Sequence, residues 1–234
     1  MITVFAPFIE LLISTQGIDE LAFYRRIASI NILQNKDVQT ELKVTEAQRT
    51  KFNEFGQSFN TNARSASETL SKGEISETEY DKRIQSAQEL LQTNIILSLK
   101  DEQVTRLGQI SLQKAGTIVV LKPIVSAKLG MTEAQINILK AELKTVGMAV
   151  AELQRKAKEP IVNKYRAMTP KDDAEREKLQ TEMDAEIKAV NEKIQPDLLK
   201  LRKTFDDLVD KTLTDGQKKT WTDLKGPTFQ PPKG

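Results

Sequence analysis

Asp206, Asp207 and Asp210 form a cluster of potential ligands in the sequence, carboxylates of the kind that hold hard cations. Lys203 and Lys211 flank the cluster and no Asp-rich calcium loop surrounds it, so it reads as a solvated helix face. The basic stretches Arg155-Lys156-Ala157-Lys158 and Lys200-Leu201-Arg202-Lys203 would suit phosphate, but Glu152, Glu159 and Asp197 lie among them. Mixed signs at helical spacing make salt-bridged surface, not a nucleic-acid footprint. The chain has no His and no Cys. That removes the commonest general base, the commonest transition-metal ligand, the thiolate nucleophile and every disulfide. No glycine-rich phosphate loop is present. The residues therefore assign no catalytic group, no cofactor and no metal site. What remains are aromatic side chains: Phe52, Phe55 and Phe59 recur at helical spacing, and Trp221 is the sole Trp. These read first as core and second as apolar contacts for a client or partner.

The elements that carry these residues are helices. Of 234 residues, 29% are charged, 38% hydrophobic and only 5% aromatic, with few Gly and Pro. Such a composition suits long solvated helices and suits pleated sheets badly. Lys and Arg number 35 against 33 Asp and Glu, so no global field draws in nucleic acid or an anionic membrane. The apolar stretch 1–14 is interrupted by Pro7 and Glu10, lacks a basic start, and is too short to span a bilayer. Residues 1–30 are expected to be a leader or a packing helix, with no membrane span.

One local pattern occurs four times: Val44-Thr45-Glu46-Ala47-Gln48, Leu99-Lys100-Asp101-Glu102-Gln103, Met131-Thr132-Glu133-Ala134-Gln135 and Leu213-Thr214-Asp215-Gly216-Gln217. Three of these are capping boxes. Thr at the N-cap accepts from the backbone N–H three residues on, and Gln there reaches back to the N–H of Thr. Lys100 cannot cap in this way, so the second site is a degenerate copy. Aligning Leu42 with Leu129 superposes the first and third boxes, and aligning Leu99 with Leu213 superposes the second and fourth. The offset grows between the two, so the second copy carries an insertion. The expectation is an all-α chain of two unequal copies of a helical-hairpin unit, 31–116 and 117–226, followed by a flexible tail over 227–234.

In the first copy the signals predict a short helix over 35–42, helices over 46–71 and 76–98, the latter opened by a Ser76/Glu79 box, and one over 101–115 ending at Gly116. In the second, a short helix covers 123–129. A long one runs from 133 to about 168 with an apolar stripe through Leu139, Leu143, Val146, Val150 and Ile161. Thr169-Pro170 predicts the start of the return helix, whose stripe includes Leu179, Met183, Ile194, Leu198 and Phe205. Pro160 and Pro196 predict kinks. At ~1.5 Å rise per residue, this antiparallel pair is on the order of 50 Å long.

The four boxes resemble the LTxxQ motifs of the Spy and CpxP family of bacterial envelope proteins. The likeness rests on Val44, Thr45 and Gln48; on Leu99 and Gln103; on Met131, Thr132 and Gln135; and on Leu213, Thr214 and Gln217. It extends over roughly residues 30–226. The resemblance implies a periplasmic or secreted helical protein that holds unfolding clients without ATP or damps envelope-stress signalling, as a homodimer or a single-chain pseudo-dimer. Relatives that bind zinc do so through His, which this chain lacks. The alternative expectation is a helical scaffold that binds one dedicated partner and has no chaperone activity.

Overall fold

The computed structural model describes residues 19–231. Among them there are nine α-helices and no strand, and no helix is long and apolar enough to cross a membrane. The described residues divide into two compact units, one formed by 19–114 together with 225–231, the other by Ala115–Leu224.

The first unit opens with α1, Glu20–Ile27, capped by the Asp19 carboxylate, which accepts from Leu21 N at 3.3 Å. Phe23 and Tyr24 on α1 are wholly buried, their rings edge to face at 5.3 Å. A 3-10 turn over Ile30–Gln34 leads to α2, Lys36–Glu41. The hairpin follows: α3, Glu46–Ser71, and α4, Glu77–Ser98. The unit's last helix is α5, Asp101–Ala115. Gly108 on α5 makes room for α1, since a Cβ there would lie 2.6 Å from Tyr24 Cδ1.

The second unit follows the order of the first from the 3-10 turn onward, with no counterpart of α1. A 3-10 turn over Thr117–Leu121 precedes α6, Pro123–Lys128. Its hairpin is longer: α7, Glu133–Arg166, and α8, Asp173–Thr212. The last helix is α9, Asp215–Lys225.

Both short helices, α2 and α6, end in the same two-bond motif. Val44 N donates to Gln39 O and Lys43 N to Thr40 O; Met131 N donates to Ser126 O and Gly130 N to Ala127 O. The motif needs a left-handed residue. Gly130 supplies it at φ 63°, whereas Lys43 adopts φ 51° with a side chain attached.

Three expectations are corrected. The return helix of the long hairpin starts at Asp173, not at Thr169-Pro170. Asp172 caps it by accepting from Glu175 N at 2.8 Å, while Glu175 accepts from Lys171 N at 2.7 Å. That Asp-x-x-Glu box satisfies two backbone donors, and Thr169 stays in the loop. At the start of α4, Ser76 caps Glu79 N as expected, but Glu79 turns its carboxylate to Arg83 at 3.1 Å and the box is only half made. The segment after α9 is also tied down. Pro227 O accepts from Arg106 and Gln113, Phe229 N donates to Gln113, and Lys114 sits over the Phe229 ring. Residues 1–18 and 232–234, which include most of the expected leader and the end of the tail, lie outside the described residues. Helices α7 and α8 continue through Pro160 and Pro196.

Candidate functional site

The four motif glutamines do more than cap their own helices: they pair. In the first unit the box at the start of α3 faces the motif at the start of α5. Gln48 Oε1 accepts from Thr45 N at 3.0 Å, and Thr45 Oγ1 accepts from Gln48 N. That fixes the orientation of the amide, whose Nε2 then donates to Gln103 Oε1 at 2.7 Å and to Ser98 O at 3.0 Å. Gln103 answers in kind. Its Oε1 accepts from Lys100 N at 2.9 Å, and its Nε2 donates to Leu42 O at 2.8 Å and back to Gln48 Oε1. Lys100 thus lacks a capping side chain, but the reach-back half of its box survives. Gln103 is buried, and every hydrogen-bonding group on its amide has a partner, which is what makes its burial tolerable.

The second unit repeats the arrangement. Gln135 and Gln217 exchange amide hydrogen bonds at 2.9 and 3.1 Å. Each accepts at Oε1 from its own Thr N, Thr132 or Thr214. Each also donates to a backbone carbonyl across the base of the hairpin, Gln135 to Thr212 and Gln217 to Gly130. The apolar residues that precede the boxes surround these clasps. Val44, Leu99 and Leu213 are buried; Met131 is half-buried.

Beyond each clasp the hairpin is a two-helix object, and two helices can cover only the stripes that face each other. Over the 26 residues of α3 only Ala66 is fully buried, and over the 34 of α7 only Leu139 and Ile161. Phe52, Phe55 and Phe59 are half-buried along the α3/α4 seam. Phe52 joins Ile30, Leu33, Leu91 and Ile95 in a groove of 370 Å3 roofed by the first 3-10 turn, with the Arg49–Glu46 pair at its rim. Phe55 and Phe59 line a smaller crevice with Leu90 and Leu91. In the second unit, Ile118 of the other 3-10 turn, Leu143, Val146, Val150, Leu198 and Phe205 line a groove of 280 Å3, with Arg202 and Asp206 at its edge. Thr117 donates a short hydrogen bond to Asp206 there. Asp206, Asp207 and Asp210 diverge to separate partners: Asp207 to Lys203 and Asp210 to Lys218. Among the described residues no cluster of three metal-ligating side chains forms.

Trp221 does not belong with the exposed apolar contacts. It is 7% exposed, in the buried set of α9 with Leu224. The 3-10 turns that roof the two grooves escaped the sequence reading. The alignment of Leu42 with Leu129 also sets Asn31 against Ile118 and Leu33 against Val120, and that signal could have found them.

The polar faces are ion-paired. Arg155 hydrogen-bonds Glu152 and, with Lys156, holds its carboxyl down to about 2. Lys164 donates to Glu186 Oε1 at 2.5 Å and Tyr165 donates to the same oxygen at 2.9 Å. Those two bonds, Lys164's first, lower the Glu186 pKa. Burial raises the Tyr24 phenol on α1.

The chain matches no family model, no curated protein and no solved structure.

Proposed function

We propose that this protein is an ATP-independent chaperone or envelope-stress binding protein that works in the periplasm or outside the cell and holds apolar segments of unfolding proteins along its two hairpins. The observation that carries the reading is the incomplete self-coverage of those hairpins. Leu90 and Leu97 on α4, Met148 on α7 and Leu199 on α8 are each more than half exposed. They lie on helices whose polar faces are closed by in-helix ion pairs such as Arg155–Glu152 and Lys203–Asp207. Apolar surface rimmed by satisfied charge suits weak, sequence-tolerant contacts with exposed core segments. The clasps keep the base of each hairpin closed, so the seam need not be completed from within.

The test is light scattering from a thermally unfolding client at rising ratios of this protein, without nucleotide. Suppression at equimolar or lower ratio is the expected result, and unaltered aggregation removes the reading. A second reading, a scaffold for one dedicated partner helix, is favoured by the two roofed grooves, which are defined in shape and lie where each hairpin meets its 3-10 turn. A pull-down that recovers one stoichiometric partner, without aggregation suppression, would select it.

A further inference from the structure

The insertion that lengthens the second hairpin ends in a pocket whose lining differs from that at the tip of the first. At the α3/α4 tip the cleft is lined mainly by polar and charged residues, Asn62, Ser65, Glu79, Lys82 and Arg83 among them, beside two alanines and the exposed Leu90. At the α7/α8 tip the 280 Å3 pocket is walled by Val162, Tyr165, Met168, Leu179 and Met183, with Arg166 and Arg176 also in its lining. Lengthening alone would have been served by a polar tip, as in the first unit. The late start of α8 at Asp173 leaves a loop between the helix ends, and the pocket opens beneath it. The bond from Tyr165 Oη to Glu186 and the Lys164 ammonium 4.8 Å from its ring centre set the Tyr165 wall. The two thioethers are flexible and polarisable, able to fit irregular apolar shapes. Of the two arginines, Arg176 is tied to Asp173 at 3.1 Å, while Arg166 makes no ion pair among the described residues.

We infer that this tip pocket binds an extended protein segment in which an apolar side chain stands beside an acidic one, the apolar group against Met168 and Met183 and the carboxylate on Arg166. This inference names the partner chemistry of one place on the hairpin and so rests on the binding role proposed above. The charge of Arg166 decides the choice: with its neighbour already neutralised by Asp173, the mouth carries one uncompensated cation, which attracts a carboxylate and repels Lys or Arg. Arg suits this better than Lys would, since its fork can donate to both carboxylate oxygens.

The test is fluorescence anisotropy with short end-blocked peptides containing Leu-Phe-Glu, Leu-Phe-Gln or Leu-Phe-Lys, on the full chain, with NMR of the methionine methyl groups. The Glu peptide should bind best, by roughly two- to fivefold over Gln, the range of an exposed ion pair. Arg166→Gln should erase that preference while leaving binding of the Gln peptide unchanged. Met183→Gln should weaken all three peptides, and the Met168 and Met183 methyl signals should be the ones that shift. Equal binding of the Glu and Lys peptides, a preference that survives Arg166→Gln, or shifts confined to Met131 and Met148 would each overturn the inference. Aggregation suppression without any peptide binding at the tip would sink this site and leave the wider holding role standing.

Discussion

Replacing Gln217 by Ala tests whether the amide clasp holds the base of the second hairpin. The substitution deletes four hydrogen bonds. Gln217 Oε1 accepts from Thr214 N and Gln135 Nε2, both at 2.9 Å, and its Nε2 donates to Gly130 O at 3.0 Å and Gln135 Oε1 at 3.1 Å. A neutral hydrogen bond contributes ~1 kcal/mol net, which sets an upper figure of about 4 kcal/mol. Gln217 is only half-buried, and water can replace part of what Thr214 N and Gly130 O lose, so the expected cost is about 2 kcal/mol. With a urea slope of ~1–3 kcal/mol per molar, the midpoint should fall by roughly 1 M. Trp221 lies one turn further along α9, is the sole Trp and is buried, so its fluorescence reports the unit that contains the clasp. A double cycle with Gln135→Ala isolates the two shared bonds, and a coupling of at least ~0.5 kcal/mol is expected. A midpoint shift below ~0.2 M, or strictly additive single variants, would refute the clasp as a stabilising device.

Gly108→Ala should cost roughly 1–3 kcal/mol by overpacking against Tyr24, outweighing the gain of about 0.5–1 kcal/mol from replacing a mid-helix glycine, and a thermal melt would show which term wins. The two equivalent left-handed positions should respond in opposite directions. Gly130→Ala meets no atom within 4 Å, so it should lose only the ~1 kcal/mol of backbone strain, and Lys43→Gly should gain about 0.5 kcal/mol after its extra chain entropy, both read as shifts in Tm. Because its folded pKa is depressed to about 2, the Glu152 carboxylate should stay ionised through an NMR titration down to that pH. Any stability it contributes is present above its ordinary value of 4.5 and lost as the pH falls through about 2; a titration midpoint near 4.5 would show the contacts to Arg155 and Lys156 absent in solution.

The helix ends were legible because they are written locally. Thr45, Ser76, Thr132 and Thr214 each accept the backbone N–H three residues on, and short polar side chains in such positions announce themselves in sequence. Where two local signals compete, only their geometry decides. Thr169-Pro170 lost to Asp172 because the Asp box also binds Lys171 N through Glu175. Likewise Glu79 chose Arg83 over the N–H of Ser76, since a charged donor one helical turn away makes the stronger bond to a carboxylate. Long-range features left weaker traces. That α1 buries Phe23 and Tyr24, the latter against Gly108, is invisible in a stretch that begins as a broken apolar run. The docking of Phe229 beside Gln113 and Lys114 likewise has no periodic pattern to reveal it.

The clasp explains a residue choice that capping alone leaves open. A capping box accepts Glu as readily as Gln, and the half-made box at Ser76 and Glu79, which has no facing box, carries Glu. All four motifs that face one another carry Gln. An amide is both donor and acceptor, whereas a carboxylate has no proton to return. In Gln103→Glu, Oε1 would still accept from Lys100 N and Gln48 Nε2, but the second carboxylate oxygen would stand where Nε2 now donates to Leu42 O at 2.8 Å. That contact is acceptor against acceptor at a buried site, and the unsatisfied carbonyl and carboxylate together should cost roughly 2–4 kcal/mol at neutral pH. Protonation restores one O–H donor, so the folded state should hold the proton more tightly than the unfolded chain and raise the pKa of the introduced carboxyl above the usual ~4.3. A raised acid pKa means that the penalty is full above it and relieved as the pH falls through it. Far-UV melts of wild type and Gln103→Glu should therefore lie well apart at neutral pH and draw together in mild acid. An interval of the same width at both would mean that Gln103 is held for its shape and not for the proton it donates.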